Sequence, residues 1–263
     1  MKRITTYFAA VAIAASLCVS SGVAFADDED EITKDSWPME VNQRPLTLAA
    51  GMIEIAGNTA MLNMSSDFVL KPIALAPSVY YGVNKKLSVG VTHSTGICIS
   101  GTENGCAKAY NDFGVNALYS LMHKGAINLA VHGGLIVPSI DEFGMGINVG
   151  ATVRFRAGKL AIVGDPTLYV GVIERETVGG EEQLAIPVWF KYQVNKETNV
   201  FLSTGIFGAL DGIGDGTIPL GLGGTYTLSN RIDVGAEFSF MNLLGSGSSA
   251  DLRQLILRAA LRL

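Results

Sequence analysis

Hydrophobic residues recur at every second position along most of this chain. In AINLAVHGGLIV, Ile127, Leu129, Val131, Leu135 and Val137 share one face, while Asn128, Ala130, His132 and Gly134 share the other. In MGINVGATVRFR, Met145, Ile147, Val149, Val153 and Phe155 oppose Gly146, Asn148, Gly150, Thr152, Arg154 and Arg156. LAIPVWFKYQV and the C-terminal stretch from Gln254 to Leu263 behave alike. A period of two is that of a β-strand, whose side chains alternate between faces. The pattern predicts twelve strands, at 45–56, 69–82, 86–95, 109–121, 126–138, 144–156, 159–174, 184–194, 198–209, 217–228, 231–243 and 251–263. Ten and fourteen are the neighbouring solutions. In the first of them the alternation slips phase near Gly51.

The connections fall into two kinds. YGVNKKLSVGV from Tyr81, YQVNKETNVFL from Tyr192 and YTLSNRIDVGA from Tyr226 share a layout: Tyr, an apolar residue two positions on, a polar run from Asn84, Asn195 or Ser229, then Val at the ninth position. Each reads as the end of one strand, a tight turn and the start of the next. MHKGAI and FRAGKLA add reversals at Gly125 and Gly158, since tight turns favour glycine. Six longer polar segments alternate with these five turns, around 57–66, 96–108, 139–143, 175–182, 211–216 and 245–250. Five turns and six loops connect twelve strands, with both termini on the turn side.

Alternation of this kind fits either a soluble sandwich or a membrane barrel with its apolar face toward lipid. Composition favours the barrel. Only 16% of the 263 residues are charged, against about 25% in soluble domains. The greasy faces are unbroken by charge, and the opposite faces are rich in Gly, Ala, Ser, Thr and Asn. Tyr81, Tyr119, Phe155, Tyr192 and Tyr226 stand at strand ends, where an aromatic girdle meets the membrane interface. The N-terminus agrees: Lys2 and Arg3, an apolar run from Tyr7 to Val19, then AFA before DDEDE, the order of a cleavable secretory signal. The expected organisation is a signal over 1–26, an acidic segment over 27–44 and the barrel over 45–263.

Removing Lys2 and Arg3 from the 19 basic residues leaves 17 against 24 acidic ones, a balance that argues against nucleic acid. Cys98 and Cys106 remain in an exported chain, and their close spacing predicts a loop-closing disulfide. Neither a metal site nor a cofactor is expected.

The signal, the alternating strands, the repeated Tyr-to-turn pattern and the terminal strand together make the chain resemble a Gram-negative outer-membrane β-barrel. The resemblance implies an all-β, antiparallel up-and-down transmembrane barrel with periplasmic termini and extracellular longer loops. Its partners would be outer-membrane lipid, the barrel-assembly machinery and small polar solutes, and the oligomeric state is left open. Many such proteins end in Phe or Trp as an assembly signal, whereas this one ends in Leu263.

The lumen decides function. Small residues are expected on its wall, among them Ala74, Ala76, Ser78, Thr92, Asn116, Gly134, Asn148, Gly150, Thr152, Gly221, Gly223 and Thr225. Tyr80, Trp189, Phe201 and Phe207 are candidates for a constriction. Counting up from Ile232 and down from Leu263 sets Asp233 opposite Arg262 and Glu237 opposite Arg258, predicting two cross-strand ion pairs. With those arginines paired, Arg154, Arg156 and Lys191 bias the path toward anions. The acidic stretch before Pro45 reads as a solvated tail, and no segment looks long enough for a folded plug.

The expectation is a narrow passive channel, porin-like, and not an enzyme. One alternative is a closed structural or adhesive barrel acting through its outer loops. A third is a lipid hydrolase like those of some outer-membrane barrels, with His93 and Thr95 two apart on the lipid-facing wall. That reading lacks an acid to orient the histidine. His132 is expected to face the lumen and His123 to lie in a turn.

Overall fold

The structure, a computed structural model, describes residues 32–65, 69–93, 97–100, 112–140, 143–175 and 182–263. The expected signal, Thr95 and Cys106 lie outside the described residues, and with Cys106 the expected disulfide.

Fourteen strand segments form one antiparallel sheet. They are β1 (Ile53–Met64), β2 (Val69–Asn84), β3 (Leu87–Thr92), β4 (Ile97–Ser100), β5 (Phe113–Lys124), β6 (Ile127–Ser139), β7 (Gly144–Ala157), β8 (Leu160–Gly164), β9 (Thr167–Ile173), β10 (Gln183–Gln193), β11 (Thr198–Ala209), β12 (Leu220–Ser229), β13 (Ile232–Asn242) and β14 (Ser249–Arg262). Two pairs of segments are single staves interrupted. β8 and β9 both lie between β7 and β10, broken at Asp165–Pro166, where proline cannot donate to the ladder. β3 and β4 both follow β2. Twelve staves therefore result, and pairing of β1 with both β2 and β14 closes the barrel and removes its edges.

Faces follow the alternation. Val79, Val91, Val115, Val131, Val149, Ile162, Phe190, Leu202, Leu222, Val234 and Leu257 are all exposed, while their sequence neighbours point inward and are buried or half-buried. Such an apolar exterior is stable only against lipid.

All five turns are present, and their polar residues have a definite task. Asn84 Oδ1 accepts from the backbone N–H groups of Lys86 and Leu87 at 2.8 and 3.0 Å. Asn195 Oδ1 does the same for Glu197 and Thr198, and Ser229 Oγ accepts from Arg231 N. Gly125 and Gly158 adopt φ of +55° and +61°, the left-handed region that glycine reaches without strain.

The first strand differs from expectation. It runs from Ile53, not from residue 45, so residues 57–64 are strand and not loop. The phase slip marks the cause: Gly51, at φ +72°, reverses the chain. Residues 32–50 do not join the wall. Trp37, Leu48, Ala49 and Met52 form a buried cluster with Ile32 and the lumen-facing Tyr80 packed against it. A short 3-10 turn, Val41–Gln43, lies between Trp37 and Leu48. From Ile32 on, the stretch expected to be a solvated tail thus packs into the turn end of the barrel.

Candidate functional site: the lumen

The segment from Trp37 to Met52 is fixed mainly by polar bonds to the barrel wall. Arg44 is central. Its guanidinium grips Asp233 of β13 with two bonds, Nη1 to Oδ2 at 2.5 Å and Nη2 to Oδ1 at 2.9 Å, and Nη2 also donates to Thr227 Oγ1 of β12 at 3.1 Å. Its remaining donors hold the segment's own Pro38 and Met39 carbonyls. On the far wall, Arg154 of β7 donates to the Arg44 carbonyl and to Asn128 of β6. Asn42 donates to the Lys159 carbonyl and to Gln193 of β10, and accepts from Asn199 of β11. Gln43 accepts from Arg156 at 2.5 Å. Thr47 donates to the Lys85 carbonyl, and Leu48 N–H donates to Ser88 of β3. Finally, Gly51 N–H donates to the Gly82 carbonyl of β2, and Gly82 N–H donates to the Met52 carbonyl. Bidentate arginine–carboxylate bonds are both stronger and more directional than neutral ones, which suits a plug held in one pose.

Both predicted ion pairs form. Arg262 Nη2 meets Asp233 Oδ2 at 2.6 Å, and Arg258 Nη2 meets Glu237 Oε2 at 2.6 Å. The register behind the prediction is off by two, however. Asp233 stands opposite Ala260, and Glu237 opposite Ile256. The reason lies at the C-terminus. Leu263 reaches past β13 to exchange two backbone bonds with Ile53 and close the barrel, so the count from the last residue overshoots. The arginines reach their partners along the diagonal, a distance long side chains span. Asp233 thereby serves two arginines, and Arg262 also pairs with Glu54 at 2.7 Å while its guanidinium faces Trp37.

The cations expected to lie free in the lumen fare differently. Arg154 is buried and engaged by the segment, and Arg156 is held by Gln43 and the Gly125 carbonyl. Lys191 is half-buried and has no hydrogen bond or ion pair among the described residues. It lies within electrostatic range of Arg154, Arg258, Arg44 and Glu237.

The four constriction candidates all point inward. Two are parked against the wall instead of across it. A methyl group on Gly90 would lie 2.3 Å from the Tyr80 ring, so the ring rests on that glycine. Phe201 rests on Gly223 in the same way, at 2.5 Å, and the Arg258 guanidinium lies over its ring, 5.7 Å from the centroid. Trp189 and Phe207 are half-buried.

Toward the loop end the wall is polar and half-buried. Asn148 of β7 donates to Asn116 of β5 at 2.9 Å across Gly134 of β6, and Asn116 donates to Thr92 of β3 at 3.2 Å, making a ladder that spans four staves. His132 faces the lumen as expected and bonds Asp165 at 3.1 Å, whose same oxygen accepts from Thr152 at 2.6 Å. Sequence reasoning passed over Asp165 because it lies at a strand break with no motif around it. The same holds for Asp112, which meets His93 Nδ1 at 2.5 Å. His93 is thus a largely buried partner of a buried carboxylate and is not presented to lipid. The aromatic residues Tyr81, Tyr119, Phe155, Tyr192 and Tyr226 all project outward at the turn end, each 43–48% exposed.

A closed twelve-stave barrel with an apolar exterior and a polar, partly filled lumen is the architecture of bacterial outer-membrane porins. Solved structures with this fold include the KdgM porin in complex with disordered oligogalacturonate, 7% identical with a TM-score of 0.51 over 80% of this chain and 98% of that one. The NanC porin gives 9% identity and a TM-score of 0.51 over 81% and 98%. An outer membrane channel from Pseudomonas putida F1 gives 12% identity and 0.52 over 91% of this chain and all of that one. No protein-family profile and no curated protein matches the sequence. At such identities the likeness establishes the fold.

Proposed function

We propose that this protein is a narrow passive channel of the bacterial outer membrane, with its turn end periplasmic, for small polar solutes and with a preference for anions. The observation that carries the proposal is the state of the lumen wall beyond the plug. Ala76, Asn116, Gly134, Asn148, Thr152, Trp189, Lys191 and Ser203 all point inward yet keep part of their surface accessible. Tyr80 and Phe201 rest on Gly90 and Gly223 of the wall. Small polar walls hold water, and twelve strands lie between a side-chain-filled barrel of eight and the open channel of sixteen or more.

The charge reading rests on Lys191. Most other lumen arginines are tied to carboxylates or to the plug, so this ammonium is the cation available to a passing solute. The porin-fold neighbour crystallised with oligogalacturonate supports an anionic cargo as a class, without specifying which. Planar-bilayer recording tests the proposal. Steady ohmic steps, with a reversal potential on the anion side under a salt gradient, are expected from the inserted protein. Inserted but silent protein would refute it and favour a closed barrel acting through its loops.

A further inference from the structure

The five tight turns share a feature beyond their geometry. Each follows a strand ending in an outward aromatic residue and carries a cation four or five positions further on. The pairs are Tyr81 with Lys85, Tyr119 with Lys124, Phe155 with Lys159, Tyr192 with Lys196 and Tyr226 with Arg231, and Lys86 doubles the first. Lys85, Lys86, Lys159, Lys196 and Arg231 are all exposed. Lys159 Nζ gives one bond to the Val194 carbonyl at 2.9 Å, and Lys196 meets Glu197 at 3.4 Å. Such exposed contacts are weak and leave further ammonium protons for other partners. The acids described at this end are Asp35, Glu40 and Glu197, together with Glu54 and Asp233 in the bore, which are paired with Arg44 and Arg262. At the loop end the sign reverses: Glu174, Glu182, Asp211, Asp215 and Asp251 stand against Arg175 and Arg253.

A ring that sits at the hydrocarbon boundary, followed by a cation one short turn beyond, matches the layering of a bilayer leaflet: acyl chains, interface, phosphate. Long basic side chains extend laterally from such positions to reach headgroups. We infer that the turn-end rim is a binding surface for anionic phospholipid headgroups of the leaflet on that side. Five described cations spaced around the circumference hold a ring of anionic lipid there, while the acidic loop end excludes it. The inference rests on the reading of the barrel as membrane-spanning, and it is independent of whether the lumen conducts.

The test uses the signal-free protein inserted in phosphatidylcholine bilayers with spin-labelled phosphatidylglycerol or spin-labelled phosphatidylcholine. The quantity read is the association constant of one lipid relative to the other. The wild type is expected to favour phosphatidylglycerol severalfold at low salt, since each cation near an anionic surface is worth on the order of fivefold at most. That preference should vanish near 1 M salt, where screening acts within about 3 Å. The variant K85S/K86S/K124S/K159S/K196S/R231S should fall to parity, and exchanging Lys for Arg and Arg231 for Lys should keep the wild-type value. Heat-modifiable gel mobility establishes insertion separately, so failed folding is not read as lost lipid binding. Parity in the inserted wild type would overturn the inference, as would a preference that survives neutralisation of the rim.

Discussion

Ser88, Asn199 and Thr227, on the wall at the turn end of the lumen, are each no more than 2% exposed. Farther toward the loop end of the wall, Asn116, Asn148, Thr152 and Ser203 point into the same bore and remain half-buried. The wall chemistry is similar in both places, namely short polar side chains on alternate positions. What differs is the segment from Trp37 to Met52, which brings donors and acceptors to the first group and none to the second. The barrel alone therefore makes a polar tube, and its closure at one end is a separate element. That element is attached by charge and hydrogen bonding more than by apolar packing, and so its removal can leave the wall intact.

The comparison is most severely strained at Asp233. Asp233→Asn removes the charge shared by Arg44 and Arg262, leaving the buried Arg44 without a carboxylate and Arg262 with Glu54 alone. Breaking a buried pair in this way costs about 3–5 kcal/mol. Glu237→Gln, toward the open end, frees an Arg258 whose side chain is 36% exposed, and screening there should hold the loss to about 1 kcal/mol. Urea unfolding in lipid vesicles, followed by tryptophan fluorescence, measures both. Equal losses would dissolve the distinction between the two ends.

Gly82→Ala probes the seam between plug and wall. The added methyl would lie 2.1 Å from the Ala49 carbonyl oxygen, so the segment must shift. Overpacking of this kind costs about 1–3 kcal/mol, and conductance should rise together with the loss of stability. An unchanged conductance would show that the segment does not limit the bore. Arg44→Lys should lose about 1–2 kcal/mol, because an ammonium cannot reproduce the two-pronged grip on Asp233. The smallest effect on stability is expected from Lys191→Gln, within about 0.5 kcal/mol because the amine has no bonded partner to lose. Its effect appears instead as a reversal potential moved toward the cation side.

The fold was largely legible because a membrane barrel imposes one period on every strand and one task on every turn. Ile127 to Val137 could be read as a strand from their alternation alone, and Asn84 and Asn195 stand where a side-chain oxygen closes a tight turn. The plug was not legible, because Asn42, Arg44 and Thr47 are polar and nothing local says whether their partner is water or a lumen. Trp37, Leu48 and Met52, apolar residues scattered through that stretch, were the available signal. The ion pairs at Asp233 and Glu237 were found through the wrong register, since long arginine side chains tolerate a slip of two. Asp112 and Asp165 act through residues 19 and 33 positions away, a separation that sequence pattern does not bridge.

Single-channel conductance of the wild type beside an Asn42→Ala/Arg44→Ala variant addresses the central claim most directly. Those two substitutions remove the plug's side-chain bonds to β11, β12 and β13 while leaving every strand residue in place. The account predicts small, steady steps from the wild type and steps severalfold larger from the variant, with insertion equal by gel mobility. Equal conductance from the two would contradict it and place the limiting section of the pore elsewhere in the barrel.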